Sequence, residues 1–436
     1  MKNKDYSPVE GRSWLAPTAV NGISGTVRLP GSKSLSNREL VLSALATSES
    51  ELPDLLDSRD TFLMIRALET LGTQITQQKG IAATSIIPAT TDIALSAEID
   101  CGLAGTVMRF MPPVASLFKG DFTFVGDELA SKRPMAATIA SLRGLGIEVD
   151  DGDGHLPFTI HATGEVEGGY LEIDASESSQ FVSGLLLAAP RFKNGLTLKH
   201  FGHNLPSLPH IEMTLACLRN RGVIVSNPEE NTWVVEPGPI QGKKVAIEPD
   251  LSNAGPFMAA AMVAGGTVKI SDWPTETTQV GQQFIDILTA MGAHIAHDGM
   301  DLVVRSGEIH GLDIDMRSCG ELVTVVAALA LFADTPTTIT GISHIRGHES
   351  NRLSALVQNI QSIGGNAKEL EDGLAIFPVE QLKSGQWDDF QDHRMATAGA
   401  IVGLNVSGIT ITDINSVNKT MPNFVELWDS LLGISN

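Results

Sequence analysis

The chain has 436 residues, of which 42% are hydrophobic and 19% are charged, and its formal net charge is −21. This composition supports packed cores and excludes a disordered chain, and the length predicts two domains. A chain this acidic lacks the basic surface that nucleic acids and anionic membranes attract, so we expect neither as a partner.

The sequence also predicts where the protein resides. Asp5 and Glu10 follow the first lysines and no apolar segment of a signal peptide is present. The nearly uninterrupted apolar run 323–333 is far shorter than the about 20 residues that a membrane span needs. The three cysteines are widely separated and match no metal-binding spacing, namely Cys101, Cys217 and Cys319. We therefore expect a reduced, cytoplasmic protein without a metal site.

Six apolar, Ala-rich segments follow one another along the chain, and each begins at a small or polar turn. In chain order they are SLSNRELVLSALA, GTVMRFMPPVASL, SSQFVSGLLLAAP, SNAGPFMAAAMVAG, GELVTVVAALALFA and HRMATAGAIVGL, and each predicts a helix. Short runs rich in alternating Thr, Val and Ile follow most of these helices and predict strands. These runs are GDFTFVGD, GLTLKHF, GTVKISD, TPTTITGI and SGITITDI.

A second, amphipathic segment in each repeat closes on a glycine, which is the residue expected just past a helix end. The glycines recur at intervals of 69 to 76 residues, at Gly72, Gly146, Gly222, Gly292, Gly364 and Gly433. The chain therefore contains six repeats of roughly 72 residues, too long for a solenoid. Six repeats divide naturally into two domains of three, with a junction near residues 241–250.

Positive charge is scarce, so its placement is informative. Six basic residues lie in segments rich in Gly, Ser, Asn or Pro, mostly at predicted helix starts, namely Lys33, Arg38, Arg133, Arg352, Arg394 and Lys419. A helix N-terminus with an added Arg or Lys binds phosphate or carboxylate groups well. Alone, each cation could be a solvated charge, and Arg394 could pair locally with Asp392. Their recurrence in equivalent places favours an anion-binding site.

Several common catalytic motifs are absent from the sequence. GSKS is not a Walker A loop, and no G-x-G-x-x-G, H-E-x-x-H or G-x-S-x-G motif is present. ATP hydrolysis, dinucleotide redox chemistry and zinc proteolysis are therefore disfavoured, and we expect no cofactor.

The ordered set PGSKSLSNR, LAGTVMR, SKRP, SESSQF, GHESNRL, DHRMA and NKTMP resembles the 5-enolpyruvylshikimate-3-phosphate synthase family from about residue 20 to the C-terminus. The resemblance implies a two-domain inside-out α/β barrel of six βαβαββ units, three per domain. It implies one domain of residues 1–31 with 248–436 and another of residues 32–247. The active site is then expected in the interdomain cleft of a monomer.

The implied reaction transfers the enolpyruvyl group of phosphoenolpyruvate to the 5-hydroxyl of shikimate 3-phosphate and releases phosphate. This reaction belongs to the shikimate pathway of chorismate and aromatic amino-acid biosynthesis. The two substrates together carry a charge of about −5 to −6. The six motif cations supply about +6, which explains how an acidic protein could hold two polyanions.

The resemblance also implies site residues. Around phosphoenolpyruvate it implies Lys33, Gly105, Arg133, Gln180, Arg352, Arg394 and Lys419, and the Gly105 position bears on glyphosate binding. Around shikimate 3-phosphate it implies Lys33, Ser34, Arg38, Ser178, Ser179, Gln180, Ser207, Glu321 and His348. Of these, Ser34 and Arg38 would hold the carboxylate, and Ser178, Ser179 and Ser207 would bind the phosphate. Glu321 would accept the 5-hydroxyl proton, while Glu349 and Lys33 would handle protons at the enol carbon. The serines of SESSQF could instead be N-caps, as Ser178 and Ser179 fit that role.

Five positions depart from the residues common in the family. They are Leu103 for Asn, His210 for Tyr, Glu321 for Asp, His344 for Asn and His348 for Lys. All of these face the shikimate phosphate or hydroxyls in the family. Three histidines in this region predict that substrate binding depends on pH.

Two alternatives stay open at the level of sequence. The sister family, UDP-N-acetylglucosamine enolpyruvyl transferase, should carry a loop cysteine near GDELASKRP, which has none. Cys101 lies upstream and is expected to pack as a small buried apolar residue. The other alternative is a non-enzymatic anion-binding module, which the loss of Lys33, Glu321, Glu349 or Lys419 would have favoured.

Overall fold

The computed structural model describes residues 11–77, 83–90, 94–202 and 205–434. They form two compact units, which we call the first unit (Gly31–Glu248) and the second unit (11–30 with 249–434). Each unit has a hydrophobic core of its own. Within the described ranges, no helix combines the length and hydropathy that a bilayer crossing requires. The predicted absence of a signal peptide concerns residues 1–10, which lie outside the described residues.

The helices and strands alternate along the chain. The helices are α1 (Lys33–Ala44), α2 (Arg59–Thr70), α3 (Gly105–Ala115), α4 (Ala136–Gly144), α5 (Ser179–Ala188), α6 (Leu208–Asn220), α7 (Leu251–Ala264), α8 (Gly281–Ala290), α9 (Val323–Ala330), α10 (Arg352–Ser362), α11 (His393–Gly403) and α12 (Phe424–Leu431). The strands of the N-terminal half are β1 (Trp14–Leu15), β2 (Ile23–Val27), β3 (Ser50–Pro53), β4 (Gln74–Gln77), β5 (Ala83–Ile87), β6 (Leu95–Asp100), β7 (Lys119–Val125), β8 (Glu148–Asp151), β9 (Phe158–Thr163), β10 (Gly169–Ile173), β11 (Leu196–His200), β12 (Val225–Ser226) and β13 (Thr232–Val235). The remaining strands are β14 (Gly266–Ile270), β15 (His294–Asp298), β16 (Asp301–Arg305), β17 (Asp313–Asp315), β18 (Thr337–Thr340), β19 (Asn366–Leu370), β20 (Gly373–Phe377), β21 (Gly385–Trp387) and β22 (Ile409–Ile411).

The described strands form six sheets, three in each unit, and four of the sheets share one topology. In the sheet β6-β7-β9-β8, β6 and β7 are parallel, whereas β9 is antiparallel to both β7 and β8. The sheets β10-β11-β13-β12, β2-β14-β16-β15 and β17-β18-β20-β19 repeat this order. With the helices between their strands, β6 to β9, β10 to β13 and β17 to β20 each form the predicted βαβαββ unit, whereas β2 joins its sheet from the N-terminal part of the chain.

Three of the six sheets are completed by segments from distant parts of the chain. In the sheet β3-β5-β4, the segment after Gly242 takes the place of the parallel first strand. There, Val245 N–H donates to Glu51 O at 2.9 Å and Ile247 N–H donates to Pro53 O at 3.0 Å. In the second unit, β1 pairs antiparallel with β22, and β2 pairs in parallel with β14. The N-terminal strands therefore belong to the unit that is otherwise C-terminal.

The two helices of each repeat have different environments because their sequences differ. Every residue of α3 and of α9 is buried, which suits a helix that is apolar on all sides. In each unit the three Ala-rich helices pack against one another, α1 with α3 and α5, and α7 with α9 and α11. The amphipathic helices α2 and α10 bury one face and expose the other. The predicted Ala-rich helices and the predicted strands are confirmed.

The glycines that close the repeats behave as predicted. All six have a positive φ, between 69° and 106°, and each follows an amphipathic helix by two residues, at Gly72, Gly146, Gly222, Gly292, Gly364 and Gly433. A residue with a Cβ adopts this left-handed conformation at a cost, so glycine ends the helix and turns the chain.

The cysteines are buried and make no disulfide. Cys101 packs in the core of the first unit, as predicted for a small apolar side chain. Burial raises the pKa of the Cys101 and Cys217 thiols well above their usual value, and it raises the pKa of Cys319 to about 12. Among the described residues, no group of three or more His, Cys, Asp or Glu side chains could hold a metal ion.

Arg221 links several elements of the first unit through buried hydrogen bonds. Its buried guanidinium donates from Nε to Glu39 Oε2 at 2.8 Å and from Nη2 to Ser43 Oγ at 2.8 Å. From Nη1 it donates to Ser50 Oγ at 3.1 Å and to Gln241 O at 3.0 Å. These bonds join the end of α6 to α1, to β3 and to the segment that completes the sheet of β3.

We expect Glu39→Gln to lower the free energy of unfolding by about 3 kcal/mol, because Arg221 would keep a buried charge without its counterion. Urea unfolding followed by circular dichroism measures this loss. The control is Glu51→Gln, which removes the exposed Lys244–Glu51 pair (2.7 Å) and should cost less than about 1 kcal/mol. Equal losses in the two variants would contradict the assigned role of Arg221.

Candidate active site in two groups of residues

In the first unit, Lys33 begins α1 and is held by a buried carboxylate. Its Nζ lies 3.2 Å from Oδ2 of Asp60, whose side chain is 3% exposed in the first turn of α2. Ser32 caps α1, accepting a hydrogen bond from Leu35 N–H. The ion pair fixes the ammonium at a helix N-terminus, where an anion is also favoured.

Gly105, the first residue of α3, lies where three polar side chains converge. A Cβ at this position would come within 3.0 Å of Arg133 Nη2 and of Gln180 Oε1, and within 3.1 Å of Arg109 Nη1. The glycine therefore keeps open a space that two guanidinium groups and one amide reach. The structure brings together three of the predicted residues here and adds Arg109.

Arg133 and Gln180 keep polar atoms available at this place. Arg133 Nη1 donates to Leu103 O at 3.2 Å. In the part of the chain that the structure describes, Arg133 Nε and Gln180 Oε1 are buried and have no hydrogen-bond partner. A buried polar atom without a partner carries a cost, and native structures usually retain it for a reason. A ligand with charged oxygens and a hydroxyl would satisfy both atoms.

The guanidinium of Arg38 is already hydrogen-bonded to other groups of the protein. It donates from Nε to Thr214 Oγ1 at 2.8 Å, from Nη1 to Ser34 O at 2.9 Å and from Nη2 to His210 O at 2.9 Å. The guanidinium also lies over the Phe110 ring, 5.3 Å from its centroid. Burial lowers the pKa of Arg38 to about 10. Its contact with a shikimate carboxylate, implied for Ser34 and Arg38, stays a prediction.

The three predicted phosphate-binding serines lie at helix starts. Ser178 is the N-cap of α5 and accepts from Gln180 N–H at 3.2 Å, which confirms its interpretation as a cap. Ser179 is buried and is the first residue of α5, so the interpretation as a cap is wrong for Ser179. Ser207 precedes α6 with a left-handed φ of 54°, and its side chain makes no capping bond. Its hydroxyl is therefore not used for capping, and the backbone holds a sparsely populated conformation.

In the second unit, Arg352 begins α10 and is surrounded by acceptors. It binds Asp392 through Nε (2.7 Å) and Nη2 (3.0 Å), and Nη2 also donates to Glu349 Oε2 at 3.0 Å. Nη1 donates to His348 Nδ1 at 3.1 Å. Burial acts to lower the pKa of Arg352, but Asp392 and Glu349 raise it by more. The charge of Arg352 is thus neutralised within the protein.

Glu349 lies between two cations. Its Oε2 accepts from Arg352, and its Oε1 accepts from Lys419 Nζ at 2.8 Å. The side chains of Glu349 and Lys419 are 11% and 9% exposed, so the pair is largely shielded from water. Two cationic donors on one carboxyl group are the arrangement of an ionised carboxylate.

Arg394 is the second residue of α11, and among the described residues its guanidinium is bonded to a hydroxyl. The cap of α11, Asp392, accepts from the Arg394 backbone N–H at 3.0 Å. The Arg394 guanidinium donates from Nη2 to Ser252 Oγ at 2.9 Å. The alternative of a local Asp392–Arg394 ion pair is therefore wrong for the described residues, because the Asp392 oxygens face Arg352 and Ser350.

His344 lies near Glu321 and packs against His348. The centroids of the two imidazole rings are 5.6 Å apart, and the ring planes are inclined at 67°. A Cβ on Gly320 would lie 2.8 Å from His344 Nε2. Within the described ranges, His344 Nε2 is buried and has no hydrogen-bond partner. Burial lowers the pKa of His344 below its usual value, Glu321 raises it and Arg352 lowers it. His344 is therefore a neutral imidazole at pH 7.

Comparison with known proteins decides the family. The family model described as EPSP synthase (3-phosphoshikimate 1-carboxyvinyltransferase) matches residues 17–428. The chain belongs to the EPSP synthase family. A relative from Kocuria rhizophila, named 3-phosphoshikimate 1-carboxyvinyltransferase, is 47% identical and aligns over 99% of each chain. The family and the function predicted for this chain, that of a transferase of the shikimate pathway, are confirmed.

Solved structures confirm the predicted fold. An EPSP synthase from Acinetobacter baumannii has a TM-score of 0.78 at 24% identity, covering 96% of this chain and 98% of that chain. The enolpyruvyl transferase NikO from Streptomyces tendae has a TM-score of 0.76 at 15% identity, covering 97% and 98%. At these identities the likeness concerns the fold, which is that of the enolpyruvyl transferases.

The prediction that the site cations lie mostly at helix starts holds for part of the set. Lys33, Arg352 and Arg394 lie in the first turn of a helix. The prediction is wrong for Arg38, which lies in the second turn of α1, and for Arg133 and Lys419, which end short 3₁₀ segments. For Arg133 the reason is Pro134, which disfavours the helical conformation in the preceding residue and leaves ψ at 139°.

Sequence reasoning missed four residues that hold or accompany the site cations, namely Asp60, Arg109, Ser252 and Asp392. Asp392 and Arg109 lie inside the motifs DHRMA and LAGTVMR, so the motifs contained a signal. An Arg inside the apolar run of α3 is itself unusual, since charged residues are rarely fully buried unless paired. Asp60 and Ser252 gave no such signal.

We expect His344 to make the protein less stable in acid. Its pKa is lower in the folded than in the unfolded state, where it is about 6.5, so the unfolded chain binds the proton first as the pH falls. The stability contribution is present above the unfolded pKa and is lost as the pH falls through the folded pKa.

His344→Asn cannot titrate, so its thermal midpoint relative to wild type should be higher at about pH 5.5 than at about pH 8. Calorimetry at the two pH values tests this expectation. At the higher pH both side chains are neutral, and the difference there reports packing alone. An identical difference at the two pH values would count against a buried neutral His344.

Proposed function

We propose that this chain transfers the enolpyruvyl group of phosphoenolpyruvate to the 5-hydroxyl of shikimate 3-phosphate and releases phosphate. Its membership in the EPSP synthase family supports the reaction. The single observation that carries the proposal is the placement of Glu349 between Arg352 and Lys419. A reaction that moves protons at a carbon next to two anionic groups needs a carboxylate and cations together.

The charges of the substrates explain the cations. Phosphoenolpyruvate carries a phosphate and a carboxylate, and so does the acceptor, for a total of about −5 to −6. The first unit contributes Lys33 and Arg133, and the second contributes Arg352, Arg394 and Lys419. In a site from which water is largely excluded, such cations stabilise the negative charge that develops when phosphate leaves.

The acids and bases have distinct tasks in this scheme. Glu321 removes the proton of the 5-hydroxyl while the hydroxyl oxygen attacks C2 of the enol. C3 gains a proton in that addition and loses one when phosphate leaves the tetrahedral intermediate. We assign these transfers at C3 to Lys33 and Glu349. Each positioned acid or base of this kind typically accelerates its step by about 10² to 10⁴.

We further propose that the two compact units are the two predicted domains, and that both groups of residues act on the same pair of substrates. Support comes from the fact that each unit carries part of the residue set implied by the resemblance. We also propose a monomer that works in the cytoplasm. The buried reduced cysteines support this localisation.

The acceptor distinguishes this function from that of the sister enzymes. The stretch GDELASKRP contains no cysteine, and Cys101 is buried in the core of the first unit. We therefore expect phosphate release from phosphoenolpyruvate with shikimate 3-phosphate and none with UDP-N-acetylglucosamine. A coupled phosphate assay with the two acceptors in parallel tests this expectation. Release with the second acceptor alone, or with neither from folded protein, would overturn the proposal.

Arg133 and its neighbour Lys132 provide a matched pair of variants. Lys132 is exposed and pairs with Glu128 at 3.0 Å, whereas Arg133 reaches the place beside Gly105. We expect Arg133→Met to lower kcat/KM for phosphoenolpyruvate by about 10² or more, because a cation on the substrate is lost. Lys132→Met should leave kcat/KM within about twofold. Steady-state kinetics measure both variants. Equal losses of kcat/KM in the two variants would contradict the placement of Arg133 in the site.

A further inference from the structure

The two site arginines of the second unit, Arg352 and Arg394, are held in different ways. Arg352 is 2% exposed and contacts two carboxylates, those of Asp392 and Glu349. Arg394 is partly exposed, and among the described residues its side-chain hydrogen bond goes to a hydroxyl, Ser252 Oγ. One arginine is therefore neutralised by direct ion pairs, and the other is held without a direct ion pair.

Ser252 stands between Arg394 and a carboxylate. Its Oγ accepts from Arg394 Nη2 at 2.9 Å and donates to Asp250 Oδ1 at 2.7 Å. Asp250 is 5% exposed and caps α7, accepting from Asn253 N–H at 3.1 Å. Because a hydroxyl has one proton, its donation to Asp250 leaves the oxygen lone pairs facing the arginine. The cap of α7 thus sets the orientation of the hydroxyl.

The hydroxyl changes what Arg394 can bind. A carboxylate in direct contact with the guanidinium would form a charge-assisted pair and would compete with an anionic substrate. With Ser252 interposed, Arg394 is oriented but keeps its charge for another anion. Burial and the neighbouring Arg352 lower the pKa of Arg394, whereas Glu321, Asp250 and Asp392 raise it.

We propose that Ser252 is a positioning residue that directs Arg394 toward an anionic group of phosphoenolpyruvate and keeps it out of direct contact with Asp250. This inference rests on the proposed function, in which Arg394 binds that substrate. It assigns to the first turn of α7 a role that no motif in the sequence indicated. Ser252 itself does not need to touch the substrate.

Three substitutions test the inference. Ser252→Ala removes the orienting hydroxyl, and we expect KM for phosphoenolpyruvate to rise about tenfold, while kcat and KM for shikimate 3-phosphate change less than about twofold. Ser252→Thr keeps the hydroxyl and should restore the wild-type KM. Ser252→Asp places a carboxylate against Arg394 and should raise KM for phosphoenolpyruvate more than Ser252→Ala does.

The control is Ser354→Ala in the first turn of α10, where the hydroxyl donates to a backbone carbonyl, Asn351 O, at 3.2 Å. This variant should have wild-type constants. The inference is overturned if Ser252→Ala leaves KM for phosphoenolpyruvate unchanged, or raises both KM values equally. It is also overturned if Ser252→Thr fails to restore binding, or if Ser252→Asp binds as well as Ser252→Ala. Melting curves identify any variant that does not fold. If Ser252→Ala does not fold, the comparison of Ser252→Thr with Ser252→Asp tests the inference.

The wild-type protein separates this inference from the proposed function. If wild type releases no phosphate, the proposed function fails, and the same variants are compared by equilibrium binding of phosphoenolpyruvate in the presence of shikimate 3-phosphate. A weaker affinity in Ser252→Ala and Ser252→Asp would still support the role of Ser252. Absence of binding by wild type would overturn both proposals.

Discussion

Each unit of this chain has to enclose three helices that are buried on nearly every side, although α1 carries several polar side chains. All residues of α3 and α9 are buried, and α7 and α11 expose very little. Such helices cannot face water, so the sheets and the amphipathic helices must cover them. Polar side chains then lie at the helix ends or are bonded inside the unit, as Glu39 is to Arg221, and that constraint limits where a site can form. Each Ala-rich helix has a site residue at or just before its N-terminus, namely Lys33, Gly105, Gln180, Ser252, Glu321 and Arg394.

Buried carboxylates make it possible to place so many cations near these helix ends. Asp60 holds Lys33, and Asp392 with Glu349 holds Arg352. A buried charge without a partner would be strongly destabilising, and a paired one is tolerated. The acidic excess of the chain therefore does not oppose the binding of anions, because part of it serves to hold the cations in place. Arg394 differs from these cations because a serine hydroxyl takes the place of a carboxylate at its side chain.

Much of the fold and part of the site could be predicted from the sequence. Gly72 and its five counterparts identified the repeats, because a left-handed turn after a helix favours glycine at that one position. The cap by Ser178 was readable for the same reason. The positions of Arg133 and Lys419 at the ends of 3₁₀ segments were not predicted, and neither was the role of Asp392. Asp392 looked like the partner of its near neighbour Arg394 and turned out to hold Arg352.

The sequence by itself determined the repeats, the buried and amphipathic helices, the turns between them and the family, because periodicity, turn chemistry and ordered motifs act over a few residues. The tertiary structure decided which carboxylate neutralises which cation and which sheet receives the N-terminal strands. Arg352 and Asp392 are 40 residues apart in sequence, and Arg394 and Ser252 are 142 apart. A hydrogen bond forms within about 3 Å, so packing of the helix ends selects each partner, and no local pattern specifies it.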